Sequence, residues 1–355
     1  MVVNPNTTIT AQPTSAAAVC AGGTSPTLSV TATGAGAITY QWYSNATLSN
    51  TGGTAIGTAT AATYQPSVTT AGTYYYYVVV TGSCGPISSN AVKVTVNANT
   101  VITVEPVTPA PVCAGGTAAA LAVTATGTGT LTYQWYSNTS NTYTGASTAT
   151  GTGATTASYT PSVATAGTTY YYVIVSGACG SDTSVAVQVV VNPNTTITTQ
   201  PASPSAVCAG GTAPSLSVVA TGAGTITYQW YSNTTLSNTG GTAIGTATAA
   251  TFTPSVTTAG TYYYYVVVTG TCGPISSNAV TVTVSANTVI TTEPVAPAAV
   301  CAGGTPTTLN VAATGTGALT YQWYTNTANN YNGTSLGAAP GAQSAGYQPS
   351  VATAG

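Results

Sequence analysis

The string Thr39-Tyr40-Gln41-Trp42-Tyr43 returns as Thr132–Tyr136, Thr227–Tyr231 and Thr320–Tyr324. The four tryptophans, Trp42, Trp135, Trp230 and Trp323, stand 93, 95 and 93 residues apart. A period of this size is one small domain copied in tandem. It predicts the end of a last strand at 1–4, full repeats at 5–97, 98–191 and 192–285, and a fourth repeat at 286–355 that stops before its last two strands. Val2–Thr10 matches the junction Val190–Thr198, and no signal peptide follows Met1. The chain is therefore expected to be a window of a longer polypeptide. Cys20 to Cys208 and Cys113 to Cys301 are both 188 residues, so the larger unit is an alternating pair, type A then type B. Alternation separates near-identical neighbours, which tend to misassemble or swap strands while folding.

The first repeat reads as short strands. Leu28, Val30 and Ala32 alternate with Thr and Ser, and Ile38, Tyr40 and Trp42 alternate with Thr39, Gln41 and Tyr43. That period of two puts each set on one face. Tyr74–Val80 and Ala91–Val96 are two further strands, and Ser49–Ala62 carries short edge strands at most. No window has a helical period. About seven strands with turns between them predict a two-sheet sandwich. The fold class is all-β, a string of Ig-like sandwiches.

Several motifs carry a family resemblance. They are Cys20 to Gly23, Tyr40 to Trp42, and Tyr77 to Gly85, which reads Tyr-Val-Val-Val-Thr-Gly-x-Cys-Gly. The chain resembles the Ig-like repeats of giant surface adhesins of the Bacteroidota. Val30 to Trp42 is 12 residues, close to the spacing between core positions of the second and third strands of immunoglobulin domains. Ala71-Gly72-Thr73-Tyr74 looks like the approach to a tyrosine corner. The positions of the usual inter-sheet disulfide hold Val30 and a Tyr-Val stretch, a departure from that pattern. The resemblance implies a secreted, cell-surface structural protein, exported by the type IX route.

Seven cysteines follow a rule. Cys20, Cys113, Cys208 and Cys301 precede a Gly-Gly turn, while Cys84, Cys179 and Cys272 follow the Tyr-rich strand. Such regularity, with no His and no Cys-x-x-Cys, points to disulfides in an oxidising compartment rather than to zinc or a catalytic thiol. Two pairings compete. Cys20–Cys84 would close one domain, but Ig topology puts those positions at opposite ends of the sandwich. A head-to-tail array would instead bring Cys20 towards Cys179 and Cys113 towards Cys272. Cys84, Cys208 and Cys301 would then need neighbours outside the window.

Charge is nearly absent: Lys93 is the only base, and Glu105, Asp182 and Glu293 are the only acids. The array cannot neutralise phosphates, so nucleic acid is excluded as a partner. No run approaches 18 apolar residues, so no membrane span is expected in this window. Three acids cannot build Ca²⁺-stiffened joints, and no metal or cofactor site is expected. No repeated acid–base constellation exists, which argues against an enzyme. Stability should be nearly flat between about pH 4 and pH 8.

Two roles remain. The first is a structural or adhesive module, the stalk of a surface adhesin or a filament, whose uncharged surfaces and strand edges assemble laterally or end to end with other copies. The second is a binding module for glycans or proteins. Tyr74, Tyr75, Tyr76 and Tyr77, with Tyr262, Tyr263, Tyr264 and Tyr265, are its candidate contact surface. Alternation sends two tyrosines of each run into the core and two to an outer face. The frames at Asn6, Asn45, Asn138, Asn194, Asn233 and Asn332 are candidate glycosylation acceptors.

Overall fold

A computed structural model describes residues 1–351 of the chain. It divides into two units, 1–192 and 193–355. Each is built from β-sandwiches of the Ig-like kind, and no described residue is helical.

The first repeat shows the pattern. Its strands are β1 (Thr8–Ala11), β2 (Val19–Cys20), β3 (Leu28–Ser29), β4 (Thr31–Thr33), β5 (Thr39–Asn45), β6 (Thr54–Ala55), β7 (Thr63–Tyr64), β8 (Gly72–Gly82), β9 (Gly85–Ser88) and β10 (Val92–Asn97). One sheet runs in the order β2-β10-β8-β5-β6, with β9 also on β8. β2 pairs parallel to β10, and the other neighbours are antiparallel. The second layer is made of the pairs β1-β4 and β3-β7.

Alternation along each strand fills the space between the layers. Trp42, Tyr76, Val78, Val80, Val92, Val94 and Val96 from the large sheet meet Leu28 and Val30 from the small one. Burying each valine removes apolar surface from water, a gain of about 1.5–3 kcal/mol per side chain. Trp42 sits at the centre, fully buried, and its indole N–H donates to the Ala61 carbonyl at 3.0 Å. Trp135 and Trp230 repeat this, donating to Thr156 and Ala249.

Two departures from the simple strand pattern have local causes. The stretch Thr27–Thr33 is split at Val30, because its two halves pair with different strands, β7 and β1. The last strand is also split. β9 continues the hairpin on β8, the chain then bulges at Ser89, and β10 resumes the ladder at Val92↔Tyr76. Ser89 is fully buried. Its hydroxyl accepts from the Val78 N–H at 3.0 Å and donates to the Asn90 carbonyl at 2.9 Å, so a side chain replaces a missing rung of the ladder. Ser184 and Ser277 do the same for Val173 and Val266. Ser89→Ala leaves the buried Val78 N–H without an acceptor, which should cost about 1–3 kcal/mol. Thermal melts of Ser89→Ala and of an exposed control, Ser67→Ala, check this; equal melting temperatures would refute it.

Burial sets an alkaline limit on stability. Burial pushes the Tyr76 phenol up to about 12, helped by its neighbours Tyr64 and Tyr74. Tyr159 is likewise raised to about 12 by burial and by Tyr171. Below pH 10 these phenols are neutral in both states. Above it the unfolded chain ionises first and binds fewer protons than the folded one, so stability falls as pH rises. Melting temperature should therefore drop between about pH 10 and pH 12, and a flat profile across that window would contradict the assignment.

Candidate functional site

The feature that most sets unit 1 apart is the joint between its two repeats. Cys20 ends β2, in register with Asn97 of β10. A tight turn follows, in which Gly22 takes φ 75° and the Gly23 N–H donates back to the Cys20 carbonyl at 2.9 Å. Only glycine adopts such a left-handed conformation without strain. Cys179 lies in a two-residue hairpin loop closed by the pair Gly177↔Gly180, and Gly180 takes φ 95°. The two cysteines are bonded, with Cα atoms 5.5 Å apart and a sequence separation of 159.

Cys84 occupies the equivalent hairpin of the first repeat, closed by Gly82↔Gly85. It is an exposed free thiol. The 11-residue strand β8 explains why Cys20 does not pair with it: one end of β8 (Gly72) meets the Val96 end of β10, beside Cys20, and the other carries the Cys84 turn. At ~3.3 Å per residue, those ends are about 30 Å apart. Of the two sequence-level pairings, the structure contains Cys20–Cys179 and lacks Cys20–Cys84. Cys113 of unit 1 takes part in a disulfide, and so does Cys272 of unit 2. Cys208 and Cys301 are exposed free thiols.

Hydrogen bonds grip the linker Asn97–Thr100 from both repeats. The Asn97 carbonyl accepts from Ala21 N at 2.9 Å, and the Asn99 side chain donates to the Ala21 carbonyl at 3.1 Å. On the other side, the Ala98 carbonyl accepts from Thr128 N, and Thr100 N donates to the Cys179 carbonyl. In unit 2 the linker at 285–288 is gripped by the same kinds of bond: Ala209 N to Ser285 O, Asn287 Nδ2 to Ala209 O, and Thr316 N to Ala286 O. These bonds at both linkers join uncharged backbone and amide groups. Among the described residues no group of three or more His, Cys, Asp or Glu could hold an ion.

Two of the acids act as backbone acceptors. Asp182 accepts from the Ile102 N–H at 2.8 Å, and Glu105 accepts from the Val185 N–H at 3.0 Å. Gln12 and Gln200 take the place of Glu105 in the type A repeats, accepting from Asn90 and Asn278. An amide and a carboxylate do the same job here, so the acid is a strand tie.

The candidate tyrosines fall into four roles. Tyr74 is the tyrosine corner: its hydroxyl donates to the Thr70 carbonyl at 2.9 Å, as Tyr262 does to Thr258. Tyr76 and Tyr264 are core. Tyr77 and Tyr265 point to the outer face yet are buried. They stack on Tyr43 and Tyr231 at 5.1 and 5.0 Å, and their hydroxyls accept from Gly53 N and Gly241 N. A Cβ on Gly53 would lie 2.8 Å from the Tyr77 ring, so this covering loop needs glycine there. Only Tyr75 and Tyr263 remain as half-exposed outer rings unassigned to core, corner or stack. Of the eight tyrosines, Tyr76, Tyr77, Tyr264 and Tyr265 are buried by the sandwich interior or by a covering loop, while Tyr74, Tyr75, Tyr262 and Tyr263 are half-exposed. The loop cover was missed from sequence; the pair Gly52-Gly53 after an Asn- and Ser-rich stretch is the signal for it.

The glycosylation frames also sort by structure. Asn45 Nδ2 donates to the Ser49 and Thr51 carbonyls, and Asn138 and Asn233 tie their own loops in the same way. These nitrogens are occupied in the folded chain. Asn6, Asn194 and Asn332 are exposed.

A cleft of about 440 Å³ in the fourth repeat is lined by Ile290, Val311, Leu319 and Trp323, among others. The same positions of the first repeat are Ile9, Val30, Ile38 and Trp42, which pack in or against its core. The cleft is sandwich-core surface in character, not a pocket with convergent polar groups.

Residues 8–98, 107–193 and 197–286 match the model of a family described as Domain of unknown function (DUF8696). A search of curated proteins finds no match. Among solved structures, the chain is similar to an I-band fragment from titin, at 14% identity over 80% of this chain and 99% of that one, with a TM-score of 0.46. It is also similar to Drosophila OTK extracellular domains 3–5, at 15% identity over 78% and 97%, with a TM-score of 0.35. A third is Sidekick-1 immunoglobulin domains 1–5, at 16% identity over 90% and 68%, with a TM-score of 0.29.

Proposed function

The chain belongs to the DUF8696 family, and from that premise we propose that it is a structural and adhesive extracellular module, a stretch of stalk in a surface adhesin or filament. The carrying observation is the joint of unit 1, where a disulfide and backbone hydrogen bonds hold successive repeats end to end. Disulfides persist in oxidising surroundings, which supports an extracellular setting. The motif resemblance to Bacteroidota adhesins supports export by the type IX route.

Assembly with other copies is part of this reading. The type B repeat exposes apolar side chains where type A does not. Val107, Tyr143 and Val185 are 79%, 52% and 50% exposed, and the corresponding type A positions hold Thr14, Asn50 and Asn90. Tyr143 and Asn50 share a backbone role, donating to Ser184 and Ser89. The exchange therefore adds apolar surface without changing the fold. In a chain almost without charge, such patches favour association.

Electron micrographs of native material and sedimentation of the purified chain over a concentration series test the reading. Rods or bundles, and association weakened by Val107→Lys with Val185→Lys, are expected. A chain that stays monomeric at all concentrations while binding specific sugars on a glycan array would favour the binding-module reading instead.

A further inference from the structure

We propose that the Cys20–Cys179 bond shields the first two repeats from end-to-end tension, so that their extensibility is released only by reduction. The inference rests on the stalk reading only in supposing that tension is applied; the connectivity itself is independent of it.

Force applied at the N-terminal side of unit 1 enters through β1 and β2. At Cys20 it meets two covalent routes. One is the backbone through residues 21–178; the other is a single S–S bond to Cys179, at a sequence separation of 159. The short route carries the load and the long one hangs slack. The load then runs on through Gly180–Thr183 and Val187–Asn192 and leaves the unit.

What lies inside the loop is almost all of both sandwiches. Strands β3 to β10 of the first repeat are in it, with both core tryptophans, Trp42 and Trp135. What stays on the loaded path is short: Gly180–Thr183 and Val187–Asn192 keep four and five paired positions with Gly167–Gly177, and the N-terminal strands keep fewer. β1 has three paired positions with β4, and β2 has two with β10. Peeling these strands frees little chain. At ~3.5 Å per residue, the loaded segments of unit 1 extend to about 120 Å, whereas the loop holds about 550 Å in reserve. Oxidised, the pair yields slightly and then stops at a covalent limit. Reduced, it becomes two ordinary domains in series.

The switch is a thiol–disulfide exchange with a dithiol reductant. A thiolate attacks one sulfur, the S–S bond breaks, and the other cysteine leaves as a thiolate that takes up a proton. The second thiol of the reductant resolves the mixed disulfide. Two electrons and two protons pass to the cysteines, and the reductant closes into its own disulfide. Cys179 is 8% exposed and Cys20 is half-buried, so attack falls on the Cys20 sulfur.

The test is optical-tweezers unfolding of the full chain. One handle is attached at Met1 and the other through an azide-bearing residue replacing the exposed Pro193, so that unit 1 lies between them. The oxidised chain should release the contour of only about 35 residues. After dithiothreitol, or in the Cys20→Ser/Cys179→Ser variant, two long steps should appear, with total contour roughly five-fold greater. Two long steps in the oxidised chain would overturn the proposal, as would short contours in all three samples. If the variant folds poorly, reduction of the folded wild-type chain gives the same comparison. Micrographs without filaments would count against the stalk reading and leave this result standing; unchanged contours would do the reverse.

Discussion

Trp135→Ala should lower the stability of the second repeat by about 3–5 kcal/mol while leaving the first repeat folded. Trp135 is fully buried and lies against Tyr159, with ring centroids 5.7 Å apart. Its removal loses the transfer energy of an indole, opens a cavity, and strips the Thr156 carbonyl of its 2.9 Å donor. A repeat of this size has only about 5–15 kcal/mol of stability to lose. The effect should be local, because the three buried clusters share no residue. Hydrogen exchange followed by mass spectrometry would locate it. Protection should collapse around Val173, Val175 and Val189 and persist around Val78 and Val94. Loss of protection in both repeats together would mean that the joint couples their cores, contrary to this expectation.

Cys20→Ser with Cys179→Ser has the second large effect, and it acts mainly on the unfolded chain. Closing a loop with a sequence separation of 159 removes conformational freedom before folding begins. By chain entropy alone this corresponds to about 5 kcal/mol, an upper figure for such a loop. Denaturant titration of unreduced protein should show a lower midpoint for the variant. Cys84→Ser is the matched control: Cys84 is a free exposed thiol, so its replacement should move the midpoint little. Equal shifts for the two variants would show that the stabilisation is not from the Cys20–Cys179 link.

The sequence carried the repeat, the strand class and the inward faces because all three are local. Val92, Val94 and Val96 alternate with Lys93 and Thr95, and that alternation is the burial pattern of β10. Tyr74 was legible as a tyrosine corner from its Ala-Gly-Thr approach, and its hydroxyl bonds four residues back. The cysteines were legible as two classes set by their turns, and the observed Cys20–Cys179 link was one of the two pairings that the sequence left open.

What needed the tertiary structure was anything decided by a partner distant in sequence. Val30 splits its strand because β1 and β7 compete for the two halves, and neither neighbour is visible in the local pattern. Tyr77 alternates to the outside, yet a loop ending at Gly53 folds over it and removes it from any contact surface. Cys20 and Cys179 are 159 positions apart, and only the stacking of one sandwich end on the next brings their Cα atoms to 5.5 Å. Side-chain periodicity is a property of the chain's own geometry, so the amino-acid order alone determined that this protein is a string of β-sandwiches. Which end meets which, which thiols find each other and which rings stay open depend on long-range closure, and the folded structure alone decided them.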